Sequence, residues 1–185
     1  MLVEAARRDL ARHSRHGLGN VVALLLVWTG LGVFGLVVQQ PAERALLYLI
    51  VAILLWPFTL AVSRLMSRGS LKKDNLLISL TWLVAAQNLI FIPLLVGTYL
   101  TAPHLIPLNL SIILSGQFLL YIWLYNSLAY LFGSLALLEV AILIAWLAPG
   151  AAYLATPFVV AGVLAVTTIL LLGTTADDKQ ATRPG

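Results

Sequence analysis

The sequence predicts an all-α membrane protein: a polytopic bundle of six transmembrane helices with both termini in the cytoplasm. Of its 185 residues, 61% are hydrophobic and only 10% are charged, whereas an ordinary soluble domain carries roughly a quarter charged residues. Six apolar runs along the chain are each long enough to cross a bilayer. These observations place the chain in a lipid bilayer, and its pI near 9.7 is therefore no sign of nucleic-acid binding.

Residues 1–17 form a basic segment that we expect to lie as a short interfacial helix on the cytoplasmic surface. The segment contains four arginines, and Glu4 and Asp9 are spaced to pair with them along a helix. The apolar run that follows is too long for the hydrophobic region of a signal peptide and ends without a small-x-small cleavage site. We therefore expect the segment to be retained and to contact anionic lipids.

The six spans are separated by residues that favour turns. Pro41, Pro103 and Pro149 mark the connections on one side of the membrane, and the very short turn at Asn126 makes the fourth and fifth spans an antiparallel hairpin. Pro57, inside the second span, is expected to bend it. The six spans form one predicted transmembrane domain, residues 18–173. The tail that follows, residues 174–185, is expected to be disordered and cytoplasmic. The spans are predicted at Leu18 to Val38, Ala45 to Met66, Leu76 to Leu100, Leu105 to Tyr125, Leu128 to Leu147 and Ala151 to Gly173.

The first span contains Gly30, Gly32 and Gly35, which have the spacing of the G-x-G-x-x-G dinucleotide-binding motif. That motif requires a strand before it, a helix after it and an acidic residue about 20 positions later, whereas these glycines lie inside a membrane-length helix. Gly32 and Gly35 fall on nearly one helical face with Trp28. We therefore expect them to let a neighbouring helix approach closely.

The distribution of basic residues predicts the orientation. Of the eleven lysines and arginines, only Arg44 lies on the side away from the N-terminus. Because cytoplasmic loops carry the excess of lysine and arginine, both termini are expected in the cytoplasm. The ten basic residues on that side are Arg7, Arg8, Arg12, Arg15, Arg64, Arg68, Lys72, Lys73, Lys179 and Arg183.

Polar side chains lie near the middle of the third, fourth and fifth spans. Glu139 is the one acid inside a predicted span, and an ionised acid at mid-helix costs roughly 2.5 to 3.5 kcal/mol on insertion scales. Counting along the spans puts Glu139 within about one helical turn in depth of Gln87, Asn88 and Gln117, and Tyr121 follows Gln117 by one turn. We predict that these five residues form a small-solute or proton site near the midplane.

Three interpretations of this midplane cluster remain open. It is an interhelical hydrogen-bond clasp with a structural role, a polar cavity that binds a small solute or carries protons, or the site of an intramembrane enzyme. An enzyme would need a second acid, a metal cluster or a nucleophile with its base, and beyond Glu139 the sequence offers only the distant His104. The chain has no cysteine and no pattern for a metal or another cofactor, so we expect no enzymatic activity.

Two segments carry a family resemblance. The stretch from Glu4 to Gly17 (EAARRDLARHSRHG), followed by a tryptophan-bearing first span, resembles the opening of a bacterial family of small six-helix membrane proteins. The stretch from Tyr121 to Tyr130 (YIWLYNSLAY) is similar to the turn between the fourth and fifth helices of that family. The family is a domain of unknown function, so the resemblance implies a six-helix fold in a bacterial membrane and brings no site residues.

The sequence thus leads to two hypotheses about function. The first is a multi-pass protein of the bacterial cytoplasmic membrane that binds or moves a small solute or protons, with Glu139 as the titratable group. The alternative is a non-catalytic membrane scaffold or partner subunit. The expected partners are the bilayer, anionic lipids at the basic segments, and either a second copy of the chain or another membrane protein; no nucleic acid is expected.

Overall fold

The computed structural model describes residues 3–67 and 77–181, without the side chains at positions 78, 81, 82, 85, 88 and 175–181. This part of the chain is α-helical apart from short turns, which confirms the predicted all-α class. The helices are α1 (Val3–Ser14), α2 (Leu18–Val37), α3 (Pro41–Met66), α4 (Leu77–Ile90), α5 (Ile92–Thr101), α6 (Ile106–Tyr125), α7 (Ala129–Leu147) and α8 (Ala152–Ala181). Short 3-10 turns precede α6 and α8.

Five helical segments in the described residues are long and apolar enough to cross a membrane, and they contain α2, α3, α6, α7 and most of α8. The third predicted span, Leu76 to Leu100, differs from the expected single helix because a turn at Phe91 divides it into α4 and α5. Pro93 lies in the first turn of α5. Proline has no N–H to donate, and its ring clashes with the carbonyl group four residues earlier, so the helix is interrupted there.

The ends of the other helices lie close to their predicted positions. α3 begins at Pro41 rather than at Ala45, because proline is well suited to the first position of a helix. It continues through Pro57 to its end. α8 continues past the predicted Gly173 to Ala181. Most of the basic loop after α3, residues 68–76, and the last residues, 182–185, lie outside the described part of the chain.

The helices pack into a closed bundle that follows the order of the chain. α2 packs between α3 and α8, α8 packs against α7, and α7 packs against α6 in the expected hairpin, while α5 contacts both α3 and α6. Gly32 is buried where α2 meets α8, and a methyl group added there would lie 2.8 Å from the ring of Phe158. The predicted close approach of a neighbouring helix at Gly32 is therefore confirmed.

α1 lies across the end of the bundle that holds the α6–α7 turn. Arg7 fixes it there, because its Nε donates a hydrogen bond to the carbonyl oxygen of Trp123 at 2.7 Å and its guanidinium group lies 4.9 Å from the centre of the Trp123 ring. Arg7 also forms the expected salt bridge with Glu4, at 3.1 Å. A cation at the carboxyl end of α6 is favourable because the carbonyl groups there are unpaired and partially negative.

Candidate functional site

Three interior polar side chains meet between α2 and α6, and we call them the polar triad: Asn20, Gln117 and Tyr121. Gln117 and Tyr121 lie one helical turn apart on α6, so Gln117 Nε2 can donate to the Tyr121 hydroxyl group, at 2.9 Å. Asn20 Nδ2 of α2 donates to the same hydroxyl group at 3.2 Å. Gln117 and Tyr121 are only 3% and 5% exposed. Asn20 is half-buried, and the triad joins α2 to α6 through one hydrogen bond from each amide nitrogen to the same hydroxyl group.

Aromatic rings surround the triad on the side of the α6–α7 turn. Phe118, Tyr121, Tyr125 and Tyr130 form an aromatic cluster in which contacting rings have centroids 5.2 to 6.2 Å apart, the range of favourable edge and offset contacts. The Tyr130 hydroxyl group donates to the carbonyl oxygen of His16 at 2.6 Å. The cluster therefore ties the connection between α1 and α2 to the hairpin of α6 and α7.

That connection fits against the aromatic cluster because Gly17 has no side chain. A methyl group at Gly17 would lie 2.5 Å from the Tyr130 hydroxyl oxygen and 2.6 Å from Tyr125 Cε2. The backbone also turns in the left-handed sense over three residues, with φ of 51° at Arg15, 55° at His16 and 75° at Gly17. This conformation costs a residue other than glycine about 1–2 kcal/mol, and the hydrogen bonds made by His16 offset part of that cost.

A small cavity adjoins the triad between α2, α3, α5 and α6. Its volume is about 30 Å³, and Gln117 is the one amide in a lining that is otherwise apolar or aromatic. A bound water needs on the order of 10–15 Å³ and two to four polar partners. The cavity therefore has space for about two water molecules but has few groups to hold them. It can accept a very small, mostly apolar molecule with one hydrogen-bonding group.

Other interior polar groups are also paired between helices. The hydroxyl groups of Ser115 on α6 and Ser134 on α7 each donate to the carbonyl oxygen of the other residue at 2.9 Å. Asn109 Nδ2 on α6 donates to the Thr98 hydroxyl group on α5 at 2.8 Å. These pairs and the triad act as clasps between neighbouring helices, which is the structural interpretation of interior polar groups in a membrane bundle.

Glu139 lies apart from these clasps, on the outer surface of α7. Leu137 and Ala141 are buried on the inner face of that helix, and at 100° per residue Glu139 is about 200° from each of them. The Glu139 side chain is accordingly exposed, and it forms no hydrogen bond or ion pair with the residues that the structure describes. It is close to the middle of the 19-residue α7. The structure thus separates Glu139 from Gln117, and the proposed midplane cluster is not assembled around the acid.

The other predicted site residues lie on α4. Gln87 is half-buried, and the side chain of Asn88 lies outside the described residues. Of the five predicted residues, Gln117 and Tyr121 are the two joined by a hydrogen bond in the described structure. Asn20, the third member of the triad, was missed by the sequence analysis. The available signal was an amide within the first turn of an otherwise apolar span.

Comparison with known protein families finds a match over residues 3–174 to a model described as a family of unknown function (DUF7010). The matched residues include every helix from α1 to α7 and most of α8. No curated protein and no solved structure matches the chain. The match confirms the resemblance to a family of unknown function that the sequence indicated.

Proposed function

The chain belongs to the DUF7010 family, which has no known function, and from its geometry we propose that it is a non-catalytic membrane subunit that associates with a protein partner inside the bilayer. One observation carries this proposal: interior polar groups such as Gln117, Tyr121 and Ser115 find hydrogen-bond partners within the chain, whereas Glu139 faces outward near mid-depth. A carboxyl group is costly against hydrocarbon. A protein partner at this surface would remove that contact and supply a hydrogen bond.

The proposed setting is a bacterial cytoplasmic membrane that the chain crosses six times, with α4 and α5 as one interrupted crossing. α4 packs near α1 at one end of the bundle. Pro103, which follows α5, accepts a hydrogen bond from the Tyr153 hydroxyl group at the opposite end, where the Tyr48 hydroxyl group donates to the Tyr153 carbonyl oxygen. The two short helices together therefore run the length of the bundle, which supports the sixth crossing.

The charge distribution supports the proposed cytoplasmic position of α1 and of both termini. Arg44, the basic residue predicted on the other side, is engaged within the chain: it donates to the carbonyl oxygens of Val38 at 2.5 Å and Gly35 at 2.8 Å. There it complements the carboxyl end of α2. Arg8 and Arg12 of α1 are instead exposed, and we propose that they contact anionic lipid headgroups on the cytoplasmic face.

Thiol labelling tests the subunit role against a solute pathway, because a chain without cysteine gives no background. Single variants Gln117→Cys, Glu139→Cys and His104→Cys, the last at an exposed position, are treated in intact membranes with a membrane-impermeant thiol reagent from each side. We expect rapid labelling at position 104 and protection at the other two. Labelling at position 117 would show that water reaches the interior and would favour the solute pathway.

The association itself is measured as the mass of the protein after mild solubilisation into lipid nanodiscs. We expect the 20.0 kDa chain to be part of an assembly larger than a monomer. Glu139→Leu should weaken that assembly because a leucine side chain cannot form a hydrogen bond with the partner. A wild-type chain that is monomeric over a range of protein-to-lipid ratios would contradict the subunit role.

Solute binding is a second candidate function, favoured by the cavity that Gln117 lines. Beyond its bond to Tyr121, the Gln117 amide keeps a carbonyl oxygen and a second N–H for a ligand. Under this hypothesis, Gln117→Leu should abolish flux of a small solute into proteoliposomes. Flux that is unchanged in Glu139→Gln would also remove Glu139 from the role of titratable group.

A further inference from the structure

The outer surface of α7 carries a regular line of exposed side chains, which we call the α7 seam. Its positions alternate in steps of four and three residues, the spacing with which two helices pack along each other in a left-handed pair. The large apolar members are between 45% and 85% exposed. The seam consists of Leu128, Phe132, Leu135, Glu139, Ile142 and Trp146.

Glu139 is the one polar member of this seam and lies near its centre. A single polar side chain in an otherwise apolar helix seam is the feature that sets the register and the number of helices in a coiled coil. In a bilayer, polar side chains in helix interfaces form hydrogen bonds across the interface. Lipid headgroups lie about half of the roughly 30 Å hydrocarbon thickness away, so the partner group for Glu139 must come from another helix.

We propose that this helix is α7 of a second copy of the chain, in a parallel pair with two-fold symmetry centred on Glu139. The proposal rests on the subunit role proposed above and names the partner. All copies of a membrane protein insert with the same orientation, so two seams run parallel with their Glu139 side chains at the same depth. A neutral carboxyl group both donates and accepts a hydrogen bond, so two Glu139 side chains satisfy each other across the symmetry axis.

The rest of the lipid-facing surface offers a poorer hydrogen-bond partner for the Glu139 carboxyl group of a second copy. Among the described side chains, the other exposed polar group near this depth is Thr29 on α2, whose hydroxyl group already donates to the carbonyl oxygen of Leu25 at 2.8 Å. It can therefore only accept. A contact between Thr29 of one copy and Glu139 of the next would therefore satisfy only one of the two hydrogen-bonding roles of the carboxyl group.

Disulfide cross-linking in native membranes tests the pair. Leu135→Cys and Ile142→Cys place a thiol on either side of Glu139 in the seam, and Ile53→Cys on α3 is the matched control, since Ile53 is 45% exposed to the same lipid. Under mild oxidation, the two seam variants should give a product of twice the 20.0 kDa chain mass. The control should remain monomeric. Absence of the product in both seam variants would overturn the proposal.

The role of Glu139 is tested in the Leu135→Cys background. Glu139→Gln should retain the dimer because an amide group also donates and accepts, whereas Glu139→Leu should lower the dimerisation constant about tenfold. Thr29→Val should have no effect. Dimer formation that is equal in all three variants would show that Glu139 does not specify the pair. A larger assembly in nanodiscs without any seam disulfide would refute the α7 pair while leaving the subunit role intact.

Discussion

Replacing Tyr121 by phenylalanine should loosen the junction between α2 and α6 while leaving the core filled. The lost hydroxyl group accepts two N–H bonds, at 2.9 Å from Gln117 and at 3.2 Å from Asn20. At about 0.6 kcal/mol for each hydrogen bond in a membrane protein, the two bonds contribute about 1.2 kcal/mol. Gln117 is only 3% exposed, and stranding a buried amide donor costs about 1–3 kcal/mol. We therefore expect the free energy of unfolding to fall by about 1–3 kcal/mol.

The assay is reversible unfolding of the purified protein in mixed micelles titrated with dodecyl sulfate. The matched variant is Asn20→Leu/Gln117→Leu/Tyr121→Phe, which removes all three polar groups and so leaves no donor stranded; it should be more stable than Tyr121→Phe alone. A Tyr121→Phe protein that unfolds like the wild type would refute the stabilising role of these bonds. If the triad is a structural clasp, the apolar variant should also retain the α7 seam disulfide.

Two further predictions concern packing and the attachment of α1. Gly19→Ala should lower the unfolding free energy by about 1–3 kcal/mol, because the added methyl group would lie 2.7 Å from the Cα of Ser63 on α3. Gly30→Ala, with no atom within 4 Å, should be at least as stable as the wild type in the same titration, because alanine favours a helix more than glycine does. Arg7→Met should speed hydrogen exchange in α1 by about tenfold or more, because it removes a charge-assisted bond to the end of α6. Exchange should be unchanged in the matched variant Arg8→Met, whose side chain is exposed; equal exchange in both would contradict the anchoring role.

Most helix ends could be predicted because the turns have their own chemical signals. Asn126 joins α6 to α7 as expected. Its backbone has the left-handed conformation, with φ of 50°, and asparagine tolerates this conformation better than most residues do. The start of α2 at Leu18 and the end of α3 at Met66 agree with the predicted spans. The break at Phe91 was missed although its cause, Pro93, is visible in the sequence, because an uninterrupted apolar run suggested a single helix.

The sequence does not predict which side of each helix faces the bundle interior. For α7, that orientation determines whether Glu139 points into the bundle or away from it. In a soluble protein the apolar face of a helix points inward, but lipid is as apolar as the interior of a membrane protein, so α7 is apolar on every side. The contact of Gln117 with Tyr121 follows from helix geometry alone, since the two residues are four positions apart. The approach of Asn20 to Tyr121 depends on where α2 lies relative to α6 in the bundle, which the apolar pattern does not specify.

In such a bundle the polar side chains show which surfaces must be in contact, because each one needs a hydrogen-bond partner where water is absent. Interior groups such as Tyr121 and Ser115 find that partner on a neighbouring helix of the same chain. Glu139 lies at a comparable depth but points the other way, and we propose that a second molecule supplies its hydrogen-bond partner. The proposed association therefore depends on where the hydrogen-bonding group points more than on its charge. That is why Glu139→Gln and Glu139→Leu should differ although both remove the acid.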